Sequence, residues 1–165
     1  RVVDTALESL VDPVIVVLGN RAEECRDVLG RRPVKIVTNQ DWAEGASTSV
    51  KAGLAAVPEN VRSALFPLAD QPMVTAHTIN ALIARYRFTL APVVWPEHAG
   101  ERGNPVLFDR GLFPELMCLS QDAGGRSVLK AHVAEAERVP VDDAGILFDI
   151  DTPADYQENE RPSKR

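Results

Sequence analysis

Four runs of strand length set the folding problem for this chain: VIVVLG, VKIVTN, ALFPLAD and APVVWPE. Each is apolar without the in–out alternation of a strand that has one wet face, and a helical stretch separates each from the next. Strands covered on both faces and joined through helices form a mostly parallel sheet with helices on both sides, the doubly wound α/β class. The helices carry local marks. Val2, Val3, Ala6, Leu7, Leu10 and Val11 recur at helical spacing; NRAEECRDVLG ends at Gly30, where a helix C-cap wants glycine; TAHTINALIARYR has Thr75 in N-cap position. In the second half GNPVLFD reads as a strand, LFPELMCL and GRSVLKAHVAEA as helices, and ERVPVD and GILFDID as short strands. No repeat or linker divides the chain, so residues 1–157 read as one domain and 158–165 as a charged, flexible tail. The first helix has no capping residue ahead of it, so the sequence reads as opening inside an element.

Eighteen basic and twenty-four acidic side chains leave a formal charge of −6, which argues against a nucleic-acid binder with its basic stripe. No apolar stretch approaches the roughly 18 residues of a membrane helix and no signal peptide is visible, which makes the cytoplasm the expected location. Cys25 and Cys118 lack the spacing of a zinc or disulfide framework and are expected as buried or half-buried thiols. His77, His98 and His132 show no ligand spacing, with His77 and His132 expected on the surface, and Trp42 and Trp95 are expected to pack.

Ligands of open α/β sheets bind at the carboxyl ends of strands, and three polar loops occupy such places. Leu65, Phe66, Leu68 and Ala69 read as a buried strand that Asp70 ends and Pro72 helps to stop. Asp149 and Asp151 close GILF. Two or three carboxylates of this kind suit Mg²⁺, which takes few hard oxygen ligands and keeps room for water and phosphate; each aspartate also suits a turn or a helix cap. In GASTSVKAGL, Gly45, Ser47, Thr48 and Ser49 stand at a helix start, where free amides and hydroxyls meet an anion, a base or a ribose, or simply cap the helix. The GxxxxGK[ST] spacing is absent. Gly100, Arg102, Gly103 and Asn104 form a polar turn whose arginine could meet a phosphate, or a plain hairpin loop. Gly124, Gly125 and Arg126 offer another helix start.

Taken in order, NQDWAEGASTSVKAGL, LADQP, RGNPVLF, DAGGR and DIDTPADY resemble the MobA-like nucleotidyltransferases, and within them the molybdenum cofactor cytidylyltransferases. The resemblance runs from Val14 to Tyr156. It implies a Rossmann-like, GT-A-type nucleotidyltransferase fold and transfer of CMP from CTP to the terminal phosphate of a molybdopterin-type cofactor, with Mg²⁺ and release of pyrophosphate. By matching position, Asp70 would be the principal metal ligand and Asp149 or Asp151 the second. Gly45, Ser47 and Ser49 would serve the nucleotide, and Arg102, Gly103, Asn104 and Pro105 the acceptor side. The family opens with a strand and a Gly-rich loop that holds the triphosphate; nothing here matches it, so the sheet is expected to lack its first strand, and a homodimer or a molybdoenzyme maturation partner is the expected protein contact. Two other readings stay open: the same fold acting with GTP or on another phosphate or sugar, and an inactive domain that binds a nucleotide or a partner.

Overall fold

The computed structural model describes residues 1–120, 125–150 and 152. Its elements run α1 (Val2–Glu8), β1 (Ile15–Leu18), α2 (Ala22–Leu29), β2 (Lys35–Thr38), α3 (Ala46–Ala55), β3 (Ser63–Phe66), α4 (Ala76–Thr89), β4 (Val93–His98), β5 (Glu101–Arg102), β6 (Val106–Asp109), α5 (Phe113–Met117), α6 (Arg126–Ala131) and β7 (Glu137–Pro140). The expected α/β class holds. Gly30 ends α2 at φ 58°, and the Thr75 hydroxyl accepts a hydrogen bond from the Thr78 amide as the cap of α4. Among the described residues no helix is long and apolar enough to cross a membrane.

The strands make two sheets. β1 and β2 pair in parallel, Ile15 opposite Lys35 through Leu18 opposite Thr38. The larger sheet runs β3–β6–β4–β5, with β7 joined to β4 in parallel. Within it β6 lies antiparallel to both β3 and β4, so the mostly parallel pairing expected is met in part, at β1–β2 and β4–β7. Chain direction explains the exception. β6 follows β4 through the short β5 turn, too short for the crossover that a parallel partner needs.

Alternate residues of β4 divide the core. Val93 and Trp95 pack with Phe108 under α3, α5 and α6, while Val94 packs with Leu107 and Val139 under Leu82 and Tyr86 of α4. Helices therefore cover both faces. The Tyr86 hydroxyl donates to the Asp109 carboxylate at 2.5 Å and reaches the Arg62 carbonyl at 3.0 Å, which ties α4 to the ends of β6 and β3. Burial, then the bond to Asp109, push the Tyr86 phenol up to about 12.

Several local expectations change. β3 stops at Phe66, and Leu68 and Ala69 lie beyond it, exposed; among the described residues the edge of β3 away from β6 has no neighbouring strand. GILF is a 3₁₀ turn, Ala144–Leu147, rather than a strand; the Asp143 carboxylate accepts from the Gly145 amide and starts the turn. The stretch after Gly125 breaks at His132 into α6 and a 3₁₀ turn, Val133–Glu135. Both cysteines are exposed, Cys25 on the polar helix α2 and Cys118 at the end of α5. His77 is exposed as expected, whereas His132 is partly covered, its Nε2 3.0 Å from the Glu115 carboxylate. Trp95 is core, whereas Trp42 is 44% exposed and rests its stem on Gly19, where an added Cβ would sit 2.7 Å away.

Candidate functional site

A cleft of about 1730 Å³ runs between β1 and β3, the facing edges of the two sheets. Its walls are apolar: Val14 to Val17 on one side, Ala64 to Phe66 on the other, with Val50, Gly53 and Leu54 of α3. Among the polar residues of the lining are Ser49 from α3, Asp70 from the loop after β3, Arg102 from β5 with Asn104 beside it, and Arg126 from α6.

Each is placed by local chemistry. Gly45 precedes α3 at φ 115°, a backbone state that side-chain-bearing residues avoid. Behind the helix start, buried Asn39 donates from Nδ2 to the Thr48 hydroxyl at 2.8 Å and to the Ser49 hydroxyl at 3.0 Å; its Oδ1 accepts from the Asp41 amide. This fixes Ser49 where it lines the cleft. Ser47, on another side of the same helix, is 2% exposed and enclosed. The turn at Gly103 is shaped by packing: a Cβ there would meet the Ile146 side chain at 2.5 Å, and the Asn104 amide donates to the Ile146 carbonyl. Gly103 and Pro105 are buried, leaving Arg102 and Asn104 as the members of the turn that line the cleft.

The segments that carry Asp70 and Asp149 are hydrogen-bonded to each other. The Ile150 amide donates to the Asp70 carbonyl at 2.7 Å, and the Gln71 Nε2 donates to Asp149 Oδ1 at 2.6 Å. Asp70 and Asp149 are both exposed. Asp151 lies outside the described residues, as does Gly124. Gln71 is 4% exposed, and its Oε1 is a buried acceptor without a partner among the described residues, a condition that costs on the order of 1–3 kcal/mol. Asp143 anchors the segment from the other side. Its Oδ2 accepts from the Thr78 hydroxyl at 2.6 Å and from the Thr75 hydroxyl and amide at 2.9 and 3.0 Å. Burial works to raise its pKa, but the donors of Thr78, Thr75 and Gly145 outweigh burial and hold the carboxyl below its ordinary value.

Among the described residues no three His, Cys, Asp or Glu side chains gather as a metal cluster. Two hard carboxylates at neighbouring segments nonetheless fit Mg²⁺ or Mn²⁺ in the mode where one or two aspartates act together with substrate phosphates and water. Asn39, Gln71 and Asp143 stand behind the expected residues and escaped sequence reading; Asn39 and Gln71 lie inside NQD and DQP, but nothing local marks an amide as buried.

The model of the MobA-like NTP transferase domain matches residues 1–137. Nicotine blue oxidoreductase of Paenarthrobacter nicotinovorans is 28% identical over 155 residues, covering 90% of this chain and 76% of that protein. The molybdenum cofactor cytidylyltransferase of Escherichia coli K12 is 26% identical over 160 residues, covering 94% and 79%. The crystal structure of Rv0371C from Mycobacterium tuberculosis H37Rv, a complex with manganese, superimposes with a TM-score of 0.83 at 25% identity, over 95% of this chain and 82% of that one. Further neighbours are nucleotidyltransferases of the GT-A-like fold, the fold of this chain. With the two-sheet α/β architecture and the cleft between the sheets in place, these matches identify the family: the chain belongs to the MobA-like NTP transferases.

Proposed function

We propose that the chain is a divalent-metal-dependent cytidylyltransferase that moves CMP from CTP onto the terminal phosphate of a molybdopterin-type cofactor. The observation that carries this reading is the convergence on one cleft of Ser49, Asp70, Arg102 and Asn104, with the Asp149 segment hydrogen-bonded beside Asp70. The likeness to the Escherichia coli cytidylyltransferase supports the choice of nucleotide and acceptor, and the manganese complex of Rv0371C supports the metal.

In this reaction an oxygen of the acceptor phosphate bonds to the α-phosphorus of CTP. The bond from that phosphorus to the bridging oxygen breaks, and its electron pair leaves with pyrophosphate. A bound Mg²⁺ or Mn²⁺ supplies charge neutralisation at the phosphate oxygens and the leaving group. Asp70 and Asp149 hold the cation, with Asp151 as the other candidate for the second carboxylate. Arg102 offers a phosphate its planar fork of donors. The Ser49 hydroxyl and the start of α3 take the base or ribose, with Gly45 allowing close approach and Ser47 keeping the helix start seated from inside. Gly103 and Pro105 shape the acceptor turn and present Asn104 to the cleft.

The test is pyrophosphate release by the full chain with Mg²⁺, CTP and a pterin phosphate acceptor. Asp70→Asn should lower turnover by on the order of 10²-fold or more while the circular dichroism spectrum stays unchanged. Wild-type rates in that variant would remove Asp70 from the mechanism. Ser49→Ala should weaken CTP binding by roughly 3–10-fold, the worth of one hydrogen bond. Release with GTP instead of CTP would keep the transferase and change the nucleotide. Redox turnover of nicotine blue without pyrophosphate release would replace the reading with the chemistry for which the Paenarthrobacter relative is named.

A further inference from the structure

We propose that Gln71 is a positioning residue that aims the Asp149 carboxylate at the cation, an inference that rests on the metal-dependent reading of the cleft. Its side chain is 4% exposed, and its Nε2 donates to Asp149 Oδ1 at 2.6 Å. The neighbouring link, Ile150 amide to Asp70 carbonyl at 2.7 Å, joins the same two segments through the backbone. The two links do different work. The backbone bond sets where residues 149 and 150 lie, whereas the Gln71 bond takes one oxygen of Asp149 and so sets the direction of the other. Asp149 is otherwise an exposed side chain.

The unpaired Oε1 of Gln71 points the same way. An amide that left its buried oxygen orphaned for no return could rotate by half a turn and exchange oxygen for nitrogen. Here that rotation would set oxygen against a carboxylate, lone pair against lone pair, so Asp149 dictates the orientation. A buried amide held with its acceptor unsatisfied marks a place where the donor matters more than the full set of bonds. Groups that orient metal-binding carboxylates act in this manner, and their loss typically costs 10–100-fold in metal affinity.

The experiment is a calorimetric titration of the full chain with Mn²⁺ alone, in wild type, Asp70→Asn, Asp149→Asn, Gln71→Met and the Gln71→Met/Asp149→Asn pair. Methionine keeps the length of glutamine and removes the donor. Gln71→Met should weaken Mn²⁺ binding roughly tenfold or more, and the paired variant should bind no more weakly than Asp149→Asn alone, because Gln71 acts through that carboxylate. Wild-type Mn²⁺ affinity in Gln71→Met, or losses that add in the pair, would overturn the proposal while leaving the metal site standing. Unchanged Mn²⁺ affinity in both Asp70→Asn and Asp149→Asn would overturn the metal reading and this inference together. If Gln71→Met fails to fold, the wild-type chain decides. The side-chain amide resonance of Gln71 should move when Mg²⁺ is added, and a resonance that stays put rejects the role.

Discussion

β1 and β4 are both apolar, IVVL and VVWPEH, and their surroundings could hardly differ more. Val93 and Val94 of β4 have no exposed surface and Trp95 is 3% exposed, whereas Ile15, Val16 and Val17 of β1 are all partly exposed and Leu18 alone is buried. β4 has β6, β5 and β7 as bonded neighbours and helices on both faces. β1 has one bonded neighbour, β2, and turns its other edge to the cleft. Composition decides that a run can be buried; the number of neighbours decides that it is. The main core stabilises the molecule, and the small sheet chiefly forms one wall of the site.

That contrast can be tested by truncation. The largest effect is expected at Leu82, fully buried between α4 and the larger sheet: Leu82→Ala should lose about 3–4 kcal/mol, read from the urea midpoint. Asp143→Ala should follow at about 2–3 kcal/mol, since it strips the charged acceptor from Thr75, Thr78 and Gly145. The folded-state carboxyl sits below its ordinary value, so its contribution is present above the unfolded value and fades as pH falls through the folded one. The gap between wild type and variant should therefore narrow only in the acid range below about pH 4. Gly103→Ala should cost about 2 kcal/mol by forcing a methyl into Ile146, and trimming with Ile146→Ala, which removes Cγ1 and Cδ1, should make the two changes less than additive in thermal melts. The smallest effect is expected in the small sheet, about 1 kcal/mol for Val16→Ala. A Val16→Ala loss equal to that of Leu82→Ala would show that the small sheet carries as much of the fold as the large one.

What could be read in advance divides along the same line. Thr75 as a cap, Gly30 as a helix end and the apolar strands were legible because their causes lie within a few residues of one another. The pairing of β6 with β3, the seating of the turn at 144–147 against Gly103 and the exposure of Leu68 were not, because each depends on parts of the chain far apart in sequence or on an edge left uncovered. The site shows the same split. Asp70 and Ser49 stand out as polar residues at the ends of elements, and both line the cleft. Ser47 shares that local signature yet points inward, because helical rotation turns a neighbouring residue to another face. Asn39 and Gln71 became visible only when their buried amides were seen against Ser49 and Asp149.

The bond between Gln71 and Asp149 spans 78 residues of sequence, and this separation has a meaning in time. At about 5–20 residues per second a ribosome needs roughly 4–16 s to travel from one to the other. For that interval the nascent chain holds Asp70 without its counterpart. The link between the two segments thus cannot form until the chain has been made through residue 149, long after the loop that carries Asp70 has left the site of synthesis.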